Sequence, residues 1–148
     1  MTDTPILEAR EASLSYSTRR GPILAVDRAD LRIGAGEFVA IIGPSGSGKS
    51  TLLALMGGLC RPDSGGTLIN GRDWRTLTSA EANAARAAQV ALLPQDGGLL
   101  PGLRALDNVL LPAVLAGASA GEARVRAMAL LEQVGLAARW DAYPAELS

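Results

Sequence analysis

Phe38-Val39-Ala40-Ile41-Ile42-Gly43-Pro44-Ser45-Gly46-Ser47-Gly48-Lys49-Ser50-Thr51-Leu52-Leu53-Ala54-Leu55-Met56 holds the pattern G-x-x-x-x-G-K-[ST] between two apolar segments of different character. The first five residues form a continuous, partly β-branched run, which predicts a parallel strand buried on both faces. Thr51 to Met56 favours a helix, and Gly57-Gly58 is a plausible stop for it. Between them, Gly43, Gly46 and Gly48 let the backbone turn tightly and aim successive N–H groups inward. The result is an anion nest at a helix N-terminus, where the helix dipole also favours negative charge. Phosphate suits such a nest. Lys49 would reach the β- and γ-phosphates, and the Ser50 hydroxyl would ligate Mg2+, a hard cation that prefers oxygen. Pro44, Ser45, Ser47 and Thr51 complete the set of loop residues expected around the phosphates. A flexible Gly/Ser linker is the alternative, but linkers are not normally clamped between an apolar strand and a helix.

The same lysine stands out in the composition. Of 14 basic residues, Lys49 is the single lysine, so arginine fills every other cationic position. The exception falls where a compact ammonium is wanted and a broad planar guanidinium would not fit.

Other features narrow the function classes. With 148 residues, 48% of them hydrophobic, the chain has the bulk to bury a core as one α/β domain. A formal charge of −1, with arginines scattered and no interleaved aromatics, gives no general attraction to nucleic acid. The lone Cys60 has no histidine or second cysteine with which to share a metal, and reads as a small buried hydrophobe. Asp3 and Glu8 precede any apolar stretch, unlike a secretory signal, so a cytoplasmic location is expected. The longest apolar stretch, Val109 to Gly121, is interrupted by Pro112. It spans about 13 residues, short of the roughly 18 needed to cross a bilayer. Membrane association would then come through a partner.

Outward from the central stretch, Ile6 to Ser15 and Ala25 to Ile33 predict strands around the turn-prone Ser17 to Pro22, giving a hairpin-like β layer. Arg61 to Gly66 reads as a loop, Thr67 to Ile69 as a short strand, and Asn70-Gly71 as a type I′ turn. Ser79 is a candidate cap for a helix running toward Ala88, and Val90 to Leu93 a second buried strand. Ser119-Ala120-Gly121-Glu122 has capping-box spacing. It opens a helix that puts Ala123, Ala127, Leu130, Leu131 and Val134 on one face and stops at Gly135. Trp74 and Trp140 are assigned only to packing, and Arg104, Arg124 and Arg126 to solvated faces.

A phosphate loop alone does not choose among kinases, GTPases, helicases and transport ATPases. Four further segments together resemble the ATP-binding cassette of ABC transporters. Tyr16 matches the aromatic on which the family stacks adenine. Gly36-Glu37-Phe38-Val39-Ala40-Ile41-Ile42 is similar to the family's lead-in to the phosphate loop. Gln95, after Leu92-Leu93-Pro94, matches the glutamine that in the family touches Mg2+ and water and senses the membrane subunit. Tyr143-Pro144-Ala145-Glu146-Leu147-Ser148 looks like the approach to the signature LSGGQ. The resemblance covers essentially the whole chain. Pro101 to Gly117, with Asp107-Asn108-Val109-Leu110-Leu111-Pro112, is most similar to the branch serving lipoprotein release, macrolide export and cell division. Asp96-Gly97-Gly98 departs from that branch, which more often has a bulkier stretch ending in asparagine.

This resemblance implies an incomplete ABC cassette: a P-loop NTPase-type sheet, an N-terminal antiparallel β subdomain and the beginning of a helical subdomain. The β subdomain and phosphate loop would occupy about residues 1–95, and the glutamine loop and helical part about 95–148. ATP and Mg2+ are the implied cofactors, with Ser50 and Gln95 at the metal. Implied partners are a transmembrane permease, which would hold the chain on the inner face of the membrane, and a second ATP-binding subunit arranged head to tail. In that dimer Ser148 would contact the partner's γ-phosphate. The family's pattern breaks off at Ser148, before the Asp and Glu that support Mg2+ and the attacking water, and the sequence contains no histidine to act as the family's switch. These residues are therefore expected to bind ATP without hydrolysing it. Two other readings remain open at this stage: a non-transport ABC protein acting as a nucleotide-dependent switch, and another P-loop enzyme such as a small-molecule kinase.

Overall fold

The computed structural model describes residues 4–147. These fall into two compact units, divided between Arg86 and Ala87.

The first unit is built on a long hairpin. Strand β1, Leu7–Thr18, pairs antiparallel with β2, Gly21–Ile33, and both run further than the alternation predicts because the connecting turn needs only Arg19 and Arg20. Strand β3, Ser64–Ile69, pairs with the other edge of β1, and the short β4, Arg72–Asp73, closes the sheet in the order β2-β1-β3-β4. Asn70 and Gly71 carry φ values of 47° and 75° between β3 and β4, the double left-handed geometry expected of an Asn-Gly type I′ turn. Helix α1, Lys49–Met56, lies on this sheet. Its Met56 packs with Ala9 and Ala12, and its Leu55 with Leu14 and Val26. Cys60 packs against the second of these clusters but is only partly covered, and burial pushes its thiol pKa up.

Glu8 is buried within the hairpin at 3% exposure, held by Arg10 Nη2 at 2.6 Å and by Arg32 Nε at 2.7 Å across the strand pair. The Arg10 hydrogen bond, reinforced by the charge of Arg32, holds its carboxyl below the usual glutamate range. A depressed folded-state pKa adds stability above the unfolded value, about 4.3, and that contribution is lost as pH falls through the folded value. Glu8→Gln should accordingly lower stability at pH 7 and flatten its fall below pH about 4.3, read from urea midpoints across pH 3–7. Equal pH slopes for the two proteins would rule this out.

Two segments predicted as buried strands form no ladder. Phe38 to Ile42 runs without sheet partners, and Phe38 and Ile42 are 96% and 92% exposed. Val90 to Leu93 is likewise unpaired by secondary-structure hydrogen bonds, with Leu93 84% exposed. An apolar run becomes a parallel strand only when neighbours supply both its hydrogen bonds and its cover, and no described strand pairs with either segment.

Helix α2, Ser79–Gln89, begins at the predicted cap residue itself, one residue earlier than expected. Thr78 caps it instead: Thr78 Oγ1 accepts from Glu81 N at 3.3 Å while Thr78 N donates to Glu81 Oε2 at 2.9 Å. Ser79 becomes the first helical residue.

The second unit is a helix pair. Helix α3, Ala105–Leu115, runs through Pro112, which the sequence alone presents as an interruption. Arg104 supplies no side-chain cap, so the first amides of α3 are satisfied from elsewhere in the unit: Ala105 N donates to Ala142 O at 2.8 Å and Leu106 N to Trp140 O at 2.9 Å. Helix α4, Ala120–Gln133, starts at the predicted Ser119 cap, whose Oγ accepts from Glu122 N, and Gly135 follows with φ 75°. Ala123, Ala127 and Leu131 are buried as predicted, whereas Leu130 and Val134 are exposed, because α3 covers only a narrow stripe of α4. Arg104 and Arg124 are not simply solvated. Their guanidinium groups lie 5.9 Å from the Tyr143 ring centre and 5.5 Å from that of Trp140. Trp140 packs on the α3–α4 core, and Trp74 is buried in the first unit.

Candidate nucleotide-binding site

The loop from Gly43 to Gly48 owes its path to three glycines with different demands. Gly46 (φ 79°) and Gly48 (φ 89°) are left-handed, and Gly48 is the residue from which α1 starts. A Cβ on Gly48 would lie 1.9 Å from the carbonyl oxygen of Ala25, so β2 and the loop approach to a distance only glycine permits. One on Gly43 would meet Ser47 Oγ at 2.9 Å. The loop is thereby pressed onto β2, and α1 has no side-chain cap at its N-terminus.

Lys49 folds back over the loop. Its Nζ donates to the carbonyl oxygens of Gly43 at 2.9 Å and Pro44 at 2.6 Å and approaches Ser47 Oγ at 3.4 Å. The ammonium thus sits at the loop's mouth. Ala25, Val26 and Asp27 of β2, Ile41 to Pro44, and Ser47 to Lys49 line a cavity of about 370 Å³ at this point. A fixed positive charge, glycine-rich backbone and a helix N-terminus at one opening form an arrangement that attracts polyanions. Among the described residues no group of three or more His, Cys, Asp or Glu could hold a metal alone.

The other candidate residues belong to other segments of the chain. Tyr16 sits near the end of β1, half-exposed, and pairs across the hairpin with Ile23. It does not line the cavity. Gln95 belongs to the second unit, at a turn closed by Gly97 N donating to Pro94 O at 3.0 Å and Gly98 N to Asp96 Oδ1 at 3.1 Å. Gly97 and Gly98 are both left-handed, and a Cβ on Gly98 would touch the Pro94 ring at 2.9 Å. Asp96-Gly97-Gly98 is thus a self-contained tight turn presenting Gln95. Ser148 lies outside the described residues.

Two contributors escaped the sequence reading. The Ala25 carbonyl acts through its backbone, which carries no residue-type signal. Asn108, noted only as part of a motif, ties down the segment after the Gln95 turn: its Oδ1 accepts from Leu100 N at 2.8 Å and its Nδ2 donates to the carbonyls of Leu100 and Leu103 at 3.1 and 3.0 Å. Asparagine early in a helix after a proline- and glycine-containing stretch is the signal that could have revealed it.

Comparison with known proteins gives the family and the fold. The ABC transporter family profile matches residues 26–148. The chain is 37% identical over 145 residues to the lipoprotein-releasing system ATP-binding protein LolD of Saccharophagus degradans, covering 98% of this chain and 64% of that protein. It is 43% identical over 145 residues to the macrolide export ATP-binding/permease protein MacB of Sodalis glossinidius, covering 98% of this chain but 22% of that one. Its fold superposes with a TM-score of 0.86 and 33% identity on the ATP-binding cassette MJ0796, a dimeric post-hydrolysis structure bound to ADP and Pi, over 96% of this chain and 63% of that one. The chain therefore spans a little under two thirds of the length of LolD and of the solved cassette. No helix among the described residues is long and apolar enough to cross a membrane. With a family match over most of its length and the α/β fold of a solved cassette, the chain belongs to the ABC transporter family.

Proposed function

We propose that these residues form part of the ATP-binding subunit of a transporter, binding MgATP on the cytoplasmic face of a membrane and working with a membrane permease and a second ATP-binding subunit arranged head to tail. The observation that carries this reading is the Lys49 ammonium lodged on the Gly43 and Pro44 carbonyls of a loop pinned to β2. Incoming phosphates would draw the ammonium off those carbonyls, and the loop amides and α1 N-terminus would complete their cradle. Gly43 to Thr51 would hold the phosphates, Tyr16 would stack on adenine, and Ser50 with Gln95 would ligate Mg2+. That ion, when bound, neutralises charge between the β- and γ-phosphates. Ser148 would serve the nucleotide of the opposing subunit. Residues to about 95 would act as the nucleotide-gripping part of the cassette, and those beyond as the part that reports to the permease.

These residues contain no histidine to act as the switch the family resemblance implies, and we propose that they bind ATP without hydrolysing it. Titration of a fluorescent ATP analogue should show Lys49→Ala binding about 10- to 100-fold more weakly, the loss of one or two charge-assisted hydrogen bonds. The 148-residue polypeptide should release no phosphate from ATP above background in the same samples. Equal affinities for the two proteins would refute the phosphate role of Lys49, and steady turnover would refute the division between binding and hydrolysis.

A further inference from the structure

The β1–β2 ladder slips between Ala9 and Ala12, between Ala12 and Leu14, and between Leu14 and Ser15. Glu11 (φ 44°) and Arg28 (φ 39°) take left-handed backbone within this stretch, although neither is glycine. A bulge disrupts the ladder locally and leaves the extra residue unpaired. Side chains of the hairpin take up both of these amides: Asp30 Oδ1 accepts from Glu11 N and Ser13 Oγ from Arg28 N, each at 2.9 Å. The third slip leaves Ala25 without an opposite residue, and it is the Ala25 carbonyl that a Cβ on Gly48 would meet at 1.9 Å. The register of β2 at this point therefore fixes the floor of the phosphate loop.

Asp63 holds that register from outside the hairpin. It lies in the loop between α1 and β3, where the pairing of β3 with β1 ends at Ser13 and Ser64. Its backbone N donates to Ser13 O at 2.8 Å, and its Oδ2 accepts from Ser15 N at 2.7 Å. The carboxylate thus supplies the acceptor that a further strand carbonyl would have given. Ser15 pairs with Leu24, the residue before Ala25. These contacts close a ring: Gly48 starts α1 and bears on Ala25, the chain leaves α1 through Gly57, and Asp63 returns to the strand that pairs beside Ala25.

We propose that Asp63 is a positioning residue for the phosphate loop: its carboxylate fixes Ser15 and, through the Ser15–Leu24 pair, sets where the Ala25 carbonyl stands against Gly48. This rests on the reading of Gly43 to Thr51 as the loop that holds phosphates. Aspartate suits the task because its short side chain places an acceptor at the reach of a backbone carbonyl, and its charge strengthens the bond to an amide.

Displacement of a fluorescent ATP analogue by ATP and by inorganic tripolyphosphate tests the idea on the 148-residue protein and its variants. Asp63→Ala should weaken both ligands by the same factor, about three- to tenfold, because the change lies at the phosphate end. Asp63→Asn keeps an acceptor oxygen at the same reach and should stay within about twofold of the parent. Leu68→Ala, at a buried position further along β3, should lower the urea midpoint and leave both affinities within about twofold. If Lys49→Ala loses tripolyphosphate affinity and Asp63→Ala does not, the role of Asp63 is overturned while the phosphate reading stands. If neither loses it, the phosphate reading falls and the role of Asp63 with it. A loss for ATP alone in Asp63→Ala overturns the proposal, because the loop would not be what moved. An equal loss in Leu68→Ala does so too, since it would report general loosening of the unit. Asparagine binding as weakly as alanine would also overturn it, by showing that charge matters and not the hold on Ser15.

Discussion

Gly48→Ala should destabilise the first unit by about 2–5 kcal/mol and remove measurable ATP binding. Two costs add. A non-glycine residue in a left-handed conformation costs about 1–2 kcal/mol, and forcing a methyl group into occupied space costs about 1–3 kcal/mol more. Here the occupied space is backbone, the Ala25 carbonyl at 1.9 Å from the added carbon, which cannot swing aside as a side chain would. Relief requires either lifting the loop off β2 or unwinding the first turn of α1, and both dismantle the phosphate cradle. Gly46→Ala is the control. Gly46 is also left-handed, with φ 79°, but an added Cβ meets nothing within 4 Å, so its cost should stop at about 1–2 kcal/mol. Urea unfolding of the three proteins, followed through the buried Trp74, gives both values. If the two alanine variants are equally stable, the close approach of β2 to the loop is wrong.

Trp74→Ala should cost the same unit about 3–5 kcal/mol, the range for emptying a large aromatic site. Trp74 is 4% exposed and lies flat on Gly58, where an added Cβ would come within 2.6 Å of the ring. Its indole N–H donates at 3.2 Å to the carbonyl of Met56, one of the groups left without a helical partner at the C-terminus of α1. The residue therefore holds the end of the helix whose other end is the phosphate loop. Arg86 adds a second tie, Nη1 to Gly58 O at 2.8 Å. Trp74→Phe keeps most of the volume and loses the hydrogen bond, and should cost about 1–2 kcal/mol. Far-UV circular dichroism during urea unfolding provides the comparison. A change below about 1 kcal/mol for Trp74→Ala would mean that the indole is not anchoring α1.

Legibility from the sequence followed the range of the interactions involved. Asn70-Gly71, the Ser119 cap and the Gly57-Gly58 helix stop each depend on a few adjacent residues, and each forms where the sequence places it, although Glu122 takes the Ser119 hydroxyl and does not close the box on its backbone N–H. The α2 cap slipped from Ser79 to Thr78 because both neighbours carry the same chemistry and only the reach of Glu81 separates them. Pro112 concealed α3, since a proline argues against a helix interior whatever the neighbouring elements supply. Phe38 to Ile42 illustrates the opposite error. Its composition suits a buried strand, but strand identity belongs to the sheet and not to the segment.

The candidate site divides along the same line. Adjacent residues dictate a glycine-rich anion nest with one lysine at a helix start, because the turn, the inward amides and the helix dipole all arise within a few peptide units of Lys49. Packing settles the rest. It seats Gly48 against the Ala25 carbonyl, buries Trp74 behind α1, and pairs Tyr16 with Ile23 across the hairpin. Each of these joins residues distant in the chain through backbone proximity or a shared sheet face, and such relations exist only once the hairpin has closed and α1 has docked on it.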